Sequence, residues 1–397
     1  MIKRLILFLV LLVSAVPIKA AEPVSLTLWT QEGRDDGAYY FILNKVDEFM
    51  ARNPDIRINV FTKPTEDLRL DFMSASLRGD APELLWTVSD HAGPFFAANL
   101  IRPVDDLYEA DRYIESIMFE GQTWGVPIFS GNHLMLLYNR RLVPEAPETF
   151  EELIAIGQEV SDGSTFGLVY NIIEPFWLIP FLGGYGGRVF ADDGFTPILD
   201  TPEMVQNLQF IYDLKYKYAI TPKEIDYGRM DSLFKEGRAA FMINGDWGLS
   251  DYSNVLGDRL GVARMPALPG GGLPRPYISG KYFMVSRDVN RAELEAIEAF
   301  MTFMTSDEVL LDGLFLLNRL PASLSGLQSE NLVTHPILGG SASQLATGIP
   351  MPTVIEMRAN WDAMKPELNL VLDGLKTPEQ AAADMQRAVE RMLAEGL

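Results

Sequence analysis

Met230-Asp231-Ser232-Leu233-Phe234-Lys235-Glu236-Gly237-Arg238-Ala239-Ala240-Phe241-Met242-Ile243-Asn244-Gly245-Asp246-Trp247 carries a helix, a stop, a strand and a turn in one short run. Met230, Leu233 and Phe234 recur at helical spacing, and Gly237 ends that helix. Residues 239–243 are a continuous apolar run of strand length, and Asn244-Gly245 turns the chain. A tryptophan beside an aspartate therefore stands just past the carboxyl end of a strand. In open α/β sheets that is where ligands bind, so the stretch that sets the fold class also marks a site.

The same grammar extends in both directions. Val24, Leu26 and Leu28 alternate with polar residues as a half-buried strand. Tyr39, Ile42, Leu43, Val46, Phe49 and Met50 then form a helical stripe stopped by Asn53-Pro54, and Ile56, Ile58 and Val60 resume the alternation. The chain thus opens β-α-β, the unit of a mostly parallel sheet. Residues 68–77 read as helix, 83–86 as a short buried strand, and 134–138 and 168–172 as strands. Thr149 predicts a helix start, with Glu152 completing a capping box. Residues 294–304 are helical. Thr377, Pro378 and Gln380 open a last helix whose buried face is Ala381, Met385, Ala388, Val389 and Met392. No repeat and no Pro- or Ser-rich linker divides the chain, so two lobes joined by ordered crossings are expected rather than beads on a string.

Composition narrows the function. At ~150 residues per domain, 397 residues predict two or three domains, and 48% hydrophobic residues supply their cores. A net charge of −21 repels phosphate backbones and makes nucleic acid a poor candidate partner; none is expected. The absence of cysteine removes thiolate, Fe–S and Cys-type zinc chemistry. His91, His133 and His335 form no metal-binding pair, so haem and catalytic zinc are not expected; no metal or cofactor is assigned, with an all-carboxylate calcium site the one kind left open. Lys3 and Arg4, an apolar run over residues 5–13 and small residues around Ala20 read as a secretory signal peptide, residues 1–20, cleaved near Ala20. That run falls short of a membrane span, and with no cysteine the leader is not that of a lipoprotein. Losing Lys3, Arg4 and Lys19 with it takes the net charge from −21 to −24. The expected protein is exported to the periplasm, soluble and monomeric.

A search for catalytic motifs returns little. There is no GxSxG and no Walker-type loop, and the Gly-rich run 183–187 lacks the lysine and strand context of a phosphate cradle. What stands out is aromatic residues beside hydrogen-bonding groups in loop-like places, most of them at strand ends: Trp29 with Gln31 and Glu32, Trp86 before Asp90, Glu174 with Phe176 and Trp177, Asp246 with Trp247, and, at the start of a helix, Asn360 with Trp361. This mixture suits a sugar. A pyranose has apolar C–H faces that stack on flat rings and a rim of hydroxyls that bond to carboxylates and amides. Core packing is the competing role for each ring. Phe176 and Trp177 are adjacent, so one ring is expected to point out and the other in.

At these residues a resemblance becomes specific. The run 233–247 is similar to the "AAM" strand and "NG-x-W" segment of the extracellular solute-binding family that includes periplasmic maltose/maltodextrin-binding proteins. Gly125-Val126-Pro127-Ile128 leading to Leu137-Tyr138-Asn139, Glu174-Pro175-Phe176 with Gly186-Gly187, and Met351-Pro352 before Trp361 match in the same order. The resemblance implies an α/β fold of two hinged lobes, each with a central mostly parallel sheet flanked by helices. It implies a first lobe over 21–129 plus 281–330, a second over 131–279 plus 335–397, and crossings near 130, 280 and 331–335. It implies a sugar held in the cleft and handed to the membrane subunits of an ABC importer, with no catalysis by this chain. Carried over by position, stacking rings fall on Phe176, Trp247 and Trp361, and cleft carboxylates on Glu174 and Asp90. Gln31 and Glu32 face the cleft, Trp177 adjoins it, and Tyr277 adds an aromatic edge.

The pattern also departs from that of a maltose binder. No carboxylate follows Pro127-Ile128, His91 stands where that family has arginine after the cleft aspartate, and Lys365 replaces a second arginine, a point charge in place of a planar fork. Phe176 lacks the hydroxyl of a tyrosine. A disaccharide, a longer oligosaccharide and a glycoside all stay open. Two other classes use the same residue types. A polyamine would be held by cation–π contacts and acids, and an exported glycosidase would need a pair of carboxylates across the sugar.

Overall fold

The computed structural model describes residues 23–396 except 35, 115, 329–331, 333 and 334. The expected leader and its cleavage site lie outside the described residues, as does most of the crossing expected near 331–335. In chain order the strands are β1 (Val24–Thr30), β2 (Ile56–Thr62), β3 (Leu84–Thr87), β4 (Met118–Phe119), β5 (Gln122–Thr123), β6 (Val126–Gly131), β7 (Leu134–Asn139), β8 (Phe166–Tyr170), β9 (Ala239–Gly245), β10 (Leu260–Ala263), β11 (Tyr277–Val285) and β12 (Ile349–Pro350).

The first sheet runs β12-β11-β3-β1-β2, with β6 also paired to β11. Its β2-β1-β3 centre is parallel, as the opening β-α-β reading requires. The helices Gly37–Arg52 and Arg291–Met304 cover it. Their apolar stripes (Ile42, Val46, Phe49; Ile297, Phe300, Met304) share one core with Leu26, Trp86 and Phe129. Each such fully buried side chain contributes about 1.5–3 kcal/mol relative to exposure.

The second sheet runs β10-β7-β9-β8. Only β8–β9 is parallel; β7–β9 and β7–β10 are antiparallel. The expectation of a mostly parallel sheet in each lobe is therefore corrected for this one. Parallel neighbours need a long crossover, and β8 reaches β9 through the helices Pro175–Gly184, Pro202–Tyr216 and Tyr227–Lys235. β7 instead follows β6 after only Asn132 and His133, so the crossing sets its direction. The capping boxes at Thr149/Glu152 and Thr377/Gln380 both form. The last helix buries Ala381, Met385 and Val389 against the second core.

Among the described residues, the β6–β7 connection and β11 are two of the crossings between the sheets. At Gly131, φ is +116° and a Cβ would stand 2.4 Å from Asp246 Oδ2; that oxygen accepts the Asn132 N–H at 3.0 Å. Gly131→Ala is expected to cost about 1–3 kcal/mol through backbone strain and this clash. A urea melt checks it, and an unchanged midpoint would show that the crossing has room. β11 is a second such crossing. Its backbone pairs within the first sheet along its whole length, while the Tyr277 ring packs in the second core. Residues 277–279 and 349–350, expected in the second lobe, thus belong to the first sheet. Strand pairing is non-local, and alternation along one strand does not reveal which sheet it joins.

Candidate functional site

Trp247 follows β9 in a single tight turn, Asp246–Gly248. The indole folds back over Gly245, where a Cβ would fall 2.0 Å from the ring, so only glycine permits this pose. Phe176 and Trp177 open the helix Pro175–Gly184 just beyond β8, and Trp361 lies on the helix Glu356–Leu372. These elements bring the rings into one arc. Phe176 is 6.2 Å from Trp247 and 6.4 Å from Trp361, centroid to centroid. Phe176, Trp247 and Trp361 are each half-buried and keep ring surface open to solvent.

Two of the expected ligand rings stand behind this arc. Trp177 is buried and its Nε1 donates to the Ile243 carbonyl at 2.9 Å. Packed edge-on 6.1 Å from Trp247, it backs that plate. Tyr277 is likewise buried, edge-on to Trp361 at 6.2 Å. Trp177 adjoins half-buried Phe176 in sequence and Tyr277 has no aromatic neighbour there, so only tertiary packing decides which face each ring shows.

The polar residues divide in the same way. Glu174 accepts from Lys365 Nζ at 2.5 Å on the rim of the arc. Asp90 shares a small pocket with His91, Glu66, Arg69, Arg358 and Trp361. Glu66, Arg69 and Arg358 were not singled out from sequence, because isolated charges on helices read as solvated. Arg358 donates to Glu66 at 2.6 Å and to Asp362 at 2.9 Å, so an ion pair links the helix Thr65–Arg78 to the helix that carries Trp361. Burial, reinforced by Glu66 and only partly offset by Arg358 and Arg69, pushes the Asp90 carboxyl up to about 6. Burial also holds His91 neutral, near 3, and its Nδ1 shares a hydrogen bond with Thr87 Oγ1 at 2.7 Å. A half-buried carboxyl kept above its unfolded value of about 3.9 costs nothing below pH 4 and its full penalty above pH 6. Asp90→Asn is therefore expected to stabilise the unliganded protein at pH 7.5 by about 2 kcal/mol, with the gain vanishing near pH 4. Thermal melts across that range check it; equal gains at both ends would refute the assignment.

Gln31 is half-buried and accepts from Thr87 Oγ1 at 2.8 Å. Glu32 does not face the cleft as expected. It is buried, and its Oε1 accepts from Trp86 Nε1 at 3.0 Å and from Arg319 Nη1 and Lys281 Nζ at 3.3 Å each. Burial alone would raise its carboxyl, but the two cations and the indole N–H overcome that and hold it at about 2. Arg319 and Lys281 come from 287 and 249 residues further along the chain, and no local pattern announces them.

Two α/β lobes with an aromatic crevice between strand ends, charged groups at its rim and ordered crossings define a protein built to enclose a solute. Residues 45–339 match the family described as bacterial extracellular solute-binding protein, and the chain belongs to it. Membership places it among exported proteins. The maltose/maltodextrin-binding domain of Bdellovibrio bacteriovorus, solved bound to maltotriose, superposes with a TM-score of 0.88 at 32% identity, covering 94% of this chain and 100% of that one. The maltotriose-binding protein of Pyrococcus abyssi is 27% identical over 84% of this chain and 74% of its own length. The galactooligosaccharide-binding protein of Bacillus subtilis is 25% identical, over 90% and 86% respectively.

Proposed function

We propose that this protein captures a neutral oligosaccharide of about three sugar units between its lobes and delivers it to an ABC importer. The observation that carries the reading is the open arc of Trp247, Phe176 and Trp361, in which the Phe176 ring lies between the two indoles, which suits a ligand with successive apolar faces. Maltotriose is the first ligand to test, given its place in the names of two relatives.

In this reading residues 1–20 are a cleaved leader and the mature protein works as a monomer in the periplasm. The first lobe holds 21–129 plus 277–330 and the strand at 349–350; the second holds 131–276 plus most of 335–397. The closed form docks on the importer's membrane subunits. Sugar bridges both lobes only when they are closed, so binding shifts the population toward that form. The chain performs no hydrolysis. Glu174 is tied to Lys365 and Glu66 to Arg358, so these rim carboxylates orient and neutralise rather than transfer protons.

A thermal-shift and calorimetry panel tests the proposal, with maltose, maltotriose, a galacto-oligosaccharide and putrescine. A saccharide at ~100 times its Kd adds about 2.7 kcal/mol of stability. A response to putrescine alone, fading as salt rises, would replace the sugar with a cationic ligand.

A further inference from the structure

Trp247 is held by a polar chain as well as by its neighbours' rings. Its Nε1 donates to the Tyr227 hydroxyl at 2.9 Å. The Asn244 amide donates to that same oxygen at 3.4 Å and to the Tyr252 hydroxyl at 2.7 Å. Tyr252 in turn donates to Asp231 Oδ1 at 2.8 Å, and Asp231 is paired with Lys235 at 3.0 Å. The carboxylate accepts only, which fixes every donor direction along the line. Tyr252 must give its proton to Asp231, so its oxygen accepts from Asn244, and the Tyr227 oxygen is left to accept from the indole. Asn244 and Tyr252 are buried, so the chain is anchored in the core and ends at the plate.

We infer that Tyr227 is a positioning residue that sets the angle of the Trp247 plate, with Gly245 as its floor. The inference deepens the proposed sugar site and rests on that reading for its effect on affinity. An indole with only ring contacts can rock about its side-chain torsions. A hydrogen bond on Nε1 pins the far edge, so the stacking face is ordered before ligand arrives, and less freedom is lost on binding. The Tyr227 ring also lies edge-on to Trp177 at 6.1 Å, the same ring that backs Trp247.

Tyr227→Phe keeps the ring and removes only the acceptor. By titration calorimetry with maltotriose it is expected to weaken binding about fivefold, the worth of one ordinary hydrogen bond. In a Trp247→Phe background, which has no indole N–H, the same change is expected to alter affinity less than twofold. A loss that persists in that background would mean that Tyr227 touches the sugar itself, and would overturn the positioning role. A second readout needs no ligand. Tyr227→Phe should shift the indole emission of the unliganded protein, and the shift should be absent from the Trp247→Phe background. No emission change between the first pair would overturn the inference even if no saccharide binds, whereas a change with no saccharide binding would fault the sugar reading alone.

Discussion

Trp361→Ala is expected to weaken maltotriose binding thirty- to several-hundredfold while leaving the fold intact. The side chain belongs to both halves of the site: it stacks toward Phe176 in the aromatic arc and lines the Asp90 pocket. Removing it strips one plate from the sugar and takes away one wall of the Asp90 pocket. Truncating a central aromatic anchor costs about 2–4 kcal/mol of binding, which gives that range of Kd. The ring is only half-buried, so its loss leaves no sealed core cavity, and melting without ligand is expected to change little. Titration calorimetry with a parallel melt checks both. Intact affinity would remove Trp361 from the site, and a mutant that fails to fold would reassign it to the core.

The largest effect on stability is expected from Glu32→Gln. The wild-type carboxylate sits between Lys281 and Arg319, all three nearly solvent-free. Losing one member of a buried ionic group leaves the others uncompensated and costs about 3–5 kcal/mol. Asp246, reached across the Gly131 crossing, is the other acid acting on both cations. The sign with pH follows from the depressed carboxyl. Glu32 is held at about 2 against an unfolded value near 4.3, so its contribution is full above pH 4.3 and is lost as pH falls toward 2. The gap between wild type and Glu32→Gln should accordingly be widest near neutrality and narrow below pH 4. A gap that stays constant down to pH 2.5 would show that packing, and not charge, is what the substitution removes.

Much of this architecture was legible in the chain because its signals are local. Alternation over Val24–Thr30 and the stripe from Tyr39 to Met50 give a β-α-β opening without help from the rest of the molecule. Thr149 and Thr377 announce helix starts through their own third neighbours. The tryptophans of the arc were legible because each stands beside a polar residue, Trp247 at a strand's end and Trp361 in the early turns of a helix. Partnership across the chain was not legible. Glu32 follows a strand as a ligand-binding acid would, yet it answers to Lys281 and Arg319. Trp177 and Tyr277 carry the composition of a sugar platform, but their rings turn inward to back Trp247 and Trp361. Arg358 reads as a solvated helix residue and instead pairs with Glu66 on the other lobe. Antiparallel pairing in the second sheet was missed for the same reason, since the tight crossing at Gly131, not a helix return, sets the direction of β7.

The crevice between Trp247 and Trp361 is expected to hold a neutral oligosaccharide on its ring faces. A crystal structure of the protein grown with maltotriose tests it most directly. Continuous sugar density is expected on the Trp247, Phe176 and Trp361 rings, with hydroxyls reaching Asp90 and Glu174. Sugar bound at another surface, or an empty crevice at a concentration that saturates binding in solution, would contradict it.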